Sequence, residues 1–236
     1  MTNQKYVDII YNPKIKPFTN YPSKLVHYLI DRYLLTRGAS LLELGCGRGE
    51  FLKEFINRGM IGYGVDISDY AKSYCEEAQI VTCDLTKEKL PYQDNYFDII
   101  YSKSFIEHFY YPEKIFEEAY RVLKPGGIII TLTPEWNYIY KSFYEDYSHR
   151  TPFTKLSLQD IHLITNFKNV EVESFKQLPL LWDQKNNTKT ILMKFLKILL
   201  KLSSFLTRVL IPDYFRLKIK WVRFSKELML LSTANK

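Results

Sequence analysis

The stretch that most constrains this chain is Ser40 to Phe51, SLLELGCGRGEF. An apolar run, Leu41, Leu42 and Leu44, leads into glycines at alternate positions, Gly45, Gly47 and Gly49, and then into Glu50 to Phe55, whose apolar residues have helical spacing. The pattern reads strand, tight turn, helix, the βα unit of an α/β fold. Glycine permits positive φ and close approach of a ligand to the backbone, and the helix start offers N–H groups to an anion. Charge narrows the ligand. A dinucleotide loop reads GxGxxG and cradles a pyrophosphate. Here the spacing is GxGxG, and Glu43 stands two residues before the first glycine, where it repels a pyrophosphate and attracts a cation. A ligand with a carboxylate for the helix start and an ammonium or sulfonium for Glu43 fits the loop; a βα turn with no ligand accounts for the glycines alone.

Further acids follow at strand ends. Ile61 to Ile67 reads as a second strand that carries Asp66, seventeen residues past Gly49. That position suits hydrogen bonds from ribose hydroxyls, or a cap for a helix starting near Asp69. Ile80 to Cys83 reads as the third strand, followed by Asp84 and Leu85, and Phe97 to Tyr101 as the fourth. Ser102 to Phe109, SKSFIEHF, lies just past its carboxyl end, the edge on which open α/β sheets bind ligands. Pro112 to Leu123 has helical spacing and is stopped by Lys124 to Gly127 before an apolar fifth strand, Ile128 to Leu132. Val170 to Phe175 and Glu227 to Ser232 read as strands six and seven, and Pro22 opens an N-terminal helix.

Glu43 to Gly49, Asp66, Asp84, Asp98, Glu107-His108 and Lys124 to Gly127 resemble, in order and spacing, the class I S-adenosylmethionine (SAM)-dependent methyltransferases of the small-molecule and glycan type. The resemblance covers Ser40 to Phe175 plus the final strand. It implies a Rossmann-like seven-stranded α/β sheet, order 3-2-1-4-5-7-6 with strand seven antiparallel, flanked by helices. It implies SAM as cofactor, with Glu43, Gly45, Cys46, Gly47, Gly49, Asp66, Ile67, Asp84, Leu85 and Ser102 around it. In such enzymes the acid at Asp84 meets the adenine amino group, and the acid at Asp98 is structural. Some quinone-pathway O-methyltransferases add a Glu three residues before the Glu-His pair and hold a divalent metal there. Ser104 occupies that position, so no metal is expected.

The segment after strand five contains Asp146, His149 and Arg150 in a phrase similar to DxxHxxPFT, which the resemblance places on the acceptor side. A histidine titrates near neutrality and a nearby carboxylate fixes its tautomer, so His149 with Asp146 is the candidate general base and His108 the reserve. A histidine that caps the helix beginning near Thr154 is the other reading. No NPPY-like phrase follows strand four. The implied reaction is O-methylation of a small molecule, sugar or lipid-linked intermediate. The alternatives are an RNA methyltransferase and a non-catalytic SAM-binding scaffold.

Charge singles out one more segment. The chain of 236 residues carries +7, yet Lys185 to Lys226 holds eleven Lys and Arg against one acid, a net of +10. The segment separates strands six and seven, so residues 1–236 read as one domain with a core at 20–178 and 227–236 and a basic amphipathic helical insertion at 179–226. Within it Lys194, Lys197, Lys201 and Arg208 share one helical face, and nearly everything else is apolar. That suits an anionic membrane surface, a homodimer contact, or a helix that packs on its own sheet and snorkels its lysines. Cys46, Cys75 and Cys83 form no metal spacing and no disulfide framework, and no signal-peptide or membrane-spanning run is present. A cytoplasmic setting, peripheral to a membrane's inner face, is the expectation.

Overall fold

The computed structural model describes residues 16–182, 191–216 and 218–236. Its centre is a seven-stranded sheet in the order β3-β2-β1-β4-β5-β7-β6. The strands are β1 (Ser40–Leu44), β2 (Ile61–Asp66), β3 (Gln79–Thr82), β4 (Phe97–Lys103), β5 (Leu123–Pro134), β6 (Lys168–Lys176) and β7 (Leu228–Asn235). Strands β1 to β5 pair in parallel, and β7 runs antiparallel between β5 and β6. The main helices are α1 (Tyr21–Tyr33), α2 (Glu50–Asn57), α3 (Pro112–Val122), α4 (Lys155–Ile164), α5 (Ile191–Leu210) and α6 (Lys220–Lys226), the last two lying between β6 and β7. Expectations for residues 1–15, and for Lys185 and Lys189, lie outside the described residues.

Side chains alternate across the strands, and both faces are buried. Leu41, Tyr101, Ile130 and Leu132 pack with Leu25 and Leu29 of α1 and Phe55 of α2. Leu42, Leu44, Ile100 and Ile129 pack on the opposite face with Ile115 and Phe116 of α3 and Leu158 of α4. A parallel sheet covered on both sides explains why β1 reads as a nearly continuous apolar run. Each fully buried Leu or Phe contributes about 1.5 to 3 kcal/mol of transfer free energy.

Asp98 joins the starts of three strands. Its Oδ2 accepts from Ser40 N at 2.9 Å and Ser40 Oγ at 2.7 Å, which ties β1 to β4, and its Oδ1 accepts from Lys124 Nζ at 2.7 Å, which ties in β5. Strand β5 therefore starts five residues earlier than the apolar pattern indicates: Leu123 already pairs with Phe97, and the chain runs through Lys124 to Gly127 as irregular strand, with Gly126 at φ +77°.

Helix α5 confirms the shared face of Lys197 and Arg208 and gives it a direction. Lys197 Nζ donates to Trp182 O, Arg208 Nε donates to Ser225 O at 3.0 Å, and Ser204 between them is fully buried. The polar face is the inner one. The reading in which the apolar arc packs on the chain's own sheet does not hold, because Leu199, Leu202, Phe205, Leu206 and Val209 are exposed.

Burial alone would raise the Asp98 carboxyl, but Lys124 and Ser40 hold it below the usual aspartate range. A depressed folded pKa gives stability that is present above the unfolded value, about 4, and is lost as pH falls through the folded one. Asp98→Ala should cost about 1 to 2 kcal/mol at pH 7, discounted for the partial exposure of the ion pair. In urea unfolding, the gap between mutant and wild type should narrow as the pH falls from the unfolded value, about 4, through the lower folded one.

Candidate active site

The glycine loop folds back against β2. Gly45 N and Cys46 N donate to Val65 O at 2.8 and 3.2 Å, and Gly47 N donates to Asp66 Oδ2 at 2.8 Å. Gly45, Gly47 and Gly49 all have positive φ. A Cβ on Gly45 would lie 2.2 Å from the Phe105 ring, whereas one on Gly47 would meet nothing within 4 Å. Gly45 is thus needed for packing of the loop after β4, and Gly47 faces open space.

That open space is a cavity of about 290 Å³ lined by Gly45, Gly47, Asp66, Ile67, Asp84 and Leu85, all expected around a cofactor, and also by Phe105 and Phe109. A second cavity of about 580 Å³ adjoins it, reaching Glu43, Cys46, Lys103, Glu107, His149 and Arg223. Gly45, Gly47, Ser104, His108 and Tyr147 line both. Two residues expected at the cofactor line neither cavity: Gly49 is the N-cap of α2, and Ser102 is buried inside the sheet. The aromatic pair Phe105 and Phe109, ring centroids 4.8 Å apart, was missed; its i,i+4 spacing around Glu107-His108 was the available signal.

Three acids stand at the loop and at the strand ends beside it. Glu43 is buried, and burial pushes its carboxyl well above the usual range, against the Leu52 N–H and the Lys103 ammonium, which favour the charge. Its Oε2 has no hydrogen-bond partner. Asp66 is also raised by burial, despite N–H bonds from Gly47 and Ser68. Asp84 accepts from Thr86 N at 3.1 Å and from Lys87 Nζ at 2.9 Å.

The segment after β5 folds over the junction of the cavities. His108 Nδ1 lies 3.0 Å from Ser148 Oγ, and Ser148 Oγ donates to Asp146 Oδ1 at 2.5 Å. Because the serine proton goes to the carboxylate, Ser148 Oγ accepts from His108 Nδ1–H, which leaves Nε2 as the basic nitrogen of the neutral ring. His149 Nδ1 donates to Phe143 O at 2.6 Å, and its Nε2 lies 3.9 Å from Asp146 Oδ2. Asp146 therefore serves both imidazoles, whose centroids are 5.0 Å apart. Burial, then the neighbouring His149, lowers His108 below its ordinary value. Asp146 is held low by Ser148 and the two histidines, although burial opposes this. The helix-cap reading of His149 falls away: Thr154 Oγ1 accepts from Ser157 N, and Ser157 Oγ accepts from Thr154 N, a complete capping box on α4.

Glu107 completes the cluster. Burial raises it to about 7, its Oε2 accepts from Thr133 Oγ1 at 3.0 Å, and its Oε1 has no partner. Ligand atoms of Glu107, His108 and His149 all lie within 4.8 Å of one another, a donor set that could hold a divalent cation. The expectation of no metal rested on Ser104 and did not foresee this approach, since His149 comes from another loop.

Gly45→Ala and Gly47→Ala separate the two glycine roles. Both place a side chain at positive φ, costing about 1 kcal/mol. Only Gly45→Ala also displaces Phe105, so its loss in a urea titration should exceed that of Gly47→Ala by about 1 to 3 kcal/mol.

A family described as a methyltransferase domain matches residues 42–131. An uncharacterized protein of Methanocaldococcus jannaschii is 35% identical over 114 residues, covering 48% of this chain and 54% of that protein. The ubiquinone/menaquinone biosynthesis C-methyltransferase UbiE of Neisseria gonorrhoeae is 29% identical over 136 residues, 52% of this chain and 55% of UbiE. The chain thus spans about half the length of these curated relatives. Among solved structures, a SAM-dependent methyltransferase from Archaeoglobus fulgidus superposes with a TM-score of 0.63 at 21% identity, covering 96% of this chain and 98% of that one. A Haemonchus contortus phosphoethanolamine N-methyltransferase, crystallised with S-adenosylhomocysteine, gives 0.63 at 19%, covering 90% and 52%. The domain match, the sheet order and the glycine loop agree: residues 42–131 match a methyltransferase domain, and the chain has the Rossmann-like methyltransferase fold.

Proposed function

We propose that the protein transfers the SAM methyl group to a hydroxyl oxygen of an acceptor in the larger cavity. The observation that carries this reading is the Asp146–Ser148–His108 chain at the junction of the two cavities. Methyl transfer depends mostly on alignment of donor and acceptor, and a base is required when the acceptor atom keeps its proton. A neutral imidazole with a fixed tautomer, set between a cofactor cavity and an acceptor cavity, suits a hydroxyl. The acceptor class is a small molecule, sugar or lipid-linked intermediate. Relatives named for methylation at carbon and neighbours named for methylation at nitrogen leave the acceptor atom to this argument.

SAM supplies an electrophilic methyl on a sulfonium when bound. Asp66 keeps lone pairs for ribose hydroxyls beyond the bonds to Gly47 and Ser68, and Asp84 with the Leu85 N–H suits the adenine edge. Glu43 offers a buried carboxylate with an unpartnered oxygen to a cation. His108 replaces His149 as the favoured base because it lines both cavities, whereas His149 lines only the larger. The RNA reading relied on basic residues of the insertion; Lys197 and Arg208 turn toward the body of the protein instead.

Three measurements test the proposal. Calorimetry should show SAM binding, weakened by Asp66→Ala by about 0.5 to 3 kcal/mol for each hydrogen bond lost; unchanged affinity would remove Asp66 from the ribose. Glu43 starts with a raised pKa and a bound cation favours its charged form, so SAM binding should release protons and tighten as pH rises toward that pKa. Glu43→Gln should abolish the proton release seen between buffers of different ionisation enthalpy. With an acceptor found by screening sugars, quinone precursors and RNA, His108→Ala should lower turnover about 10²- to 10⁴-fold while leaving SAM affinity intact. The wild-type rate should rise with pH through a value below 6.5 and then level off, since a base must be unprotonated and His108 is held low. A normal rate in His108→Ala would return the role to His149.

A further inference from the structure

Helix α5 sets its polar residues against the body of the protein and its apolar residues in solvent. Ser204 is fully buried, and Lys197 and Arg208 on the same face bond backbone carbonyls of Trp182 and Ser225. At about 100° per residue, Phe195, Leu202 and Val209 lie opposite Ser204. These three and Phe205 are each more than half exposed, between 51% and 62%. Past the helix, Tyr214, Phe215 and Ile219 are exposed as well. Soluble monomers rarely leave so large a contiguous apolar patch in water.

Charge distinguishes what covers it. Lys194 stands at the margin of the apolar arc, and Lys218 and Lys220 alternate with Ile219 just past Tyr214 and Phe215, all three lysines exposed and without an ion pair among the described residues. A two-fold contact between copies presents the same patch from both sides, which would bring the exposed Lys194, Lys218 and Lys220 toward their counterparts. A bilayer with anionic headgroups satisfies both features: acyl chains receive Leu and Phe, and lysines extend to the headgroups. No helix among the described residues is long and apolar enough to cross a membrane, and α5, with four basic residues in 20, suits the plane of the interface. The surface also adjoins the larger cavity: Tyr214 and Lys218 line a cleft together with Ser142, Glu145 and Arg216, which line that cavity as well.

We propose that α5 and the segment leading into α6 dock the protein on an anionic lipid bilayer. Vesicle sedimentation of the full chain at 150 mM salt tests this, using phosphatidylcholine vesicles with and without about a third phosphatidylglycerol. Two variants share outward positions. Leu202→Asp/Phe205→Asp/Val209→Asp removes the apolar contact and should abolish binding. Lys194→Gln/Lys218→Gln/Lys220→Gln should lower partitioning onto anionic vesicles about a hundredfold, roughly fivefold for each basic residue. Thermal unfolding midpoints close to wild type in both variants would show that the fold is kept, and sedimentation velocity would give the oligomeric state. Binding to anionic vesicles that falls in both variants supports the proposal. Equal binding to neutral vesicles overturns it, as does a stable dimer without vesicle binding that the triple aspartate variant dissociates. A monomer that binds neither vesicle type also overturns it, whatever its SAM affinity.

Discussion

The site depends on the clasp between the glycine loop and the end of β2. Val65 O takes the N–H groups of Gly45 and Cys46, and the Asp66 carboxylate takes that of Gly47, so the loop turns back over β2. Space then opens beyond Gly47. Phe105 closes on Gly45 from the β4 side at a distance that no Cβ permits, which brings Ser104, Glu107 and His108 to the same edge. The acid that suits a ribose is thus also the acid that shapes the loop. On the proposed function, loop geometry and ligand affinity share one carboxylate, which burial raises against the N–H bonds of Gly47 and Ser68.

Around this clasp, burial and neighbouring charges move ionisable groups away from their ordinary pKa values. Lys103 is brought down to about 8 by burial, against the pull of Glu107 and Glu43, while Glu107 is brought up to about 7. Asp146 is held low and His108 is kept neutral. Such shifts among neighbours in a cleft bring groups that ordinarily titrate far from neutrality to within reach of it. The insertion shows the reverse arrangement, with few interior demands and a large apolar exterior. A helix whose Lys197 and Arg208 bond backbone carbonyls of its own chain has its apolar side free for another phase.

Much of the fold was legible in the sequence because strands buried on both faces and amphipathic helices leave different periods. The Leu41 to Leu44 run and the helix at Pro112 follow from local chemistry, and the role of Asp98 at a strand start from the family resemblance. The start of β5 did not, since Lys124 to Gly127 reads as a stop and only the pairing of Leu123 with Phe97 makes it strand. The acids and glycines that line the smaller cavity stood out by spacing and by the resemblance; the walls made by Phe105 and Phe109 were passed over. The approach of His108 to Ser148, 40 residues apart in sequence, depends on how one loop folds over another and leaves no periodic trace. The basic face of α5 was visible, but a helical wheel does not say which face packs inward. Ser204, a small residue on that face, was the local sign.

The measurement that tests the account most directly is a crystal structure with S-adenosylhomocysteine. The account predicts the nucleoside in the smaller cavity, its ribose on Asp66, its adenine beside Asp84 and Leu85, and its sulfur directed toward the junction lined by His108 and Tyr147. A ligand seated in the larger cavity, or one that leaves Asp66 without contact, would contradict it.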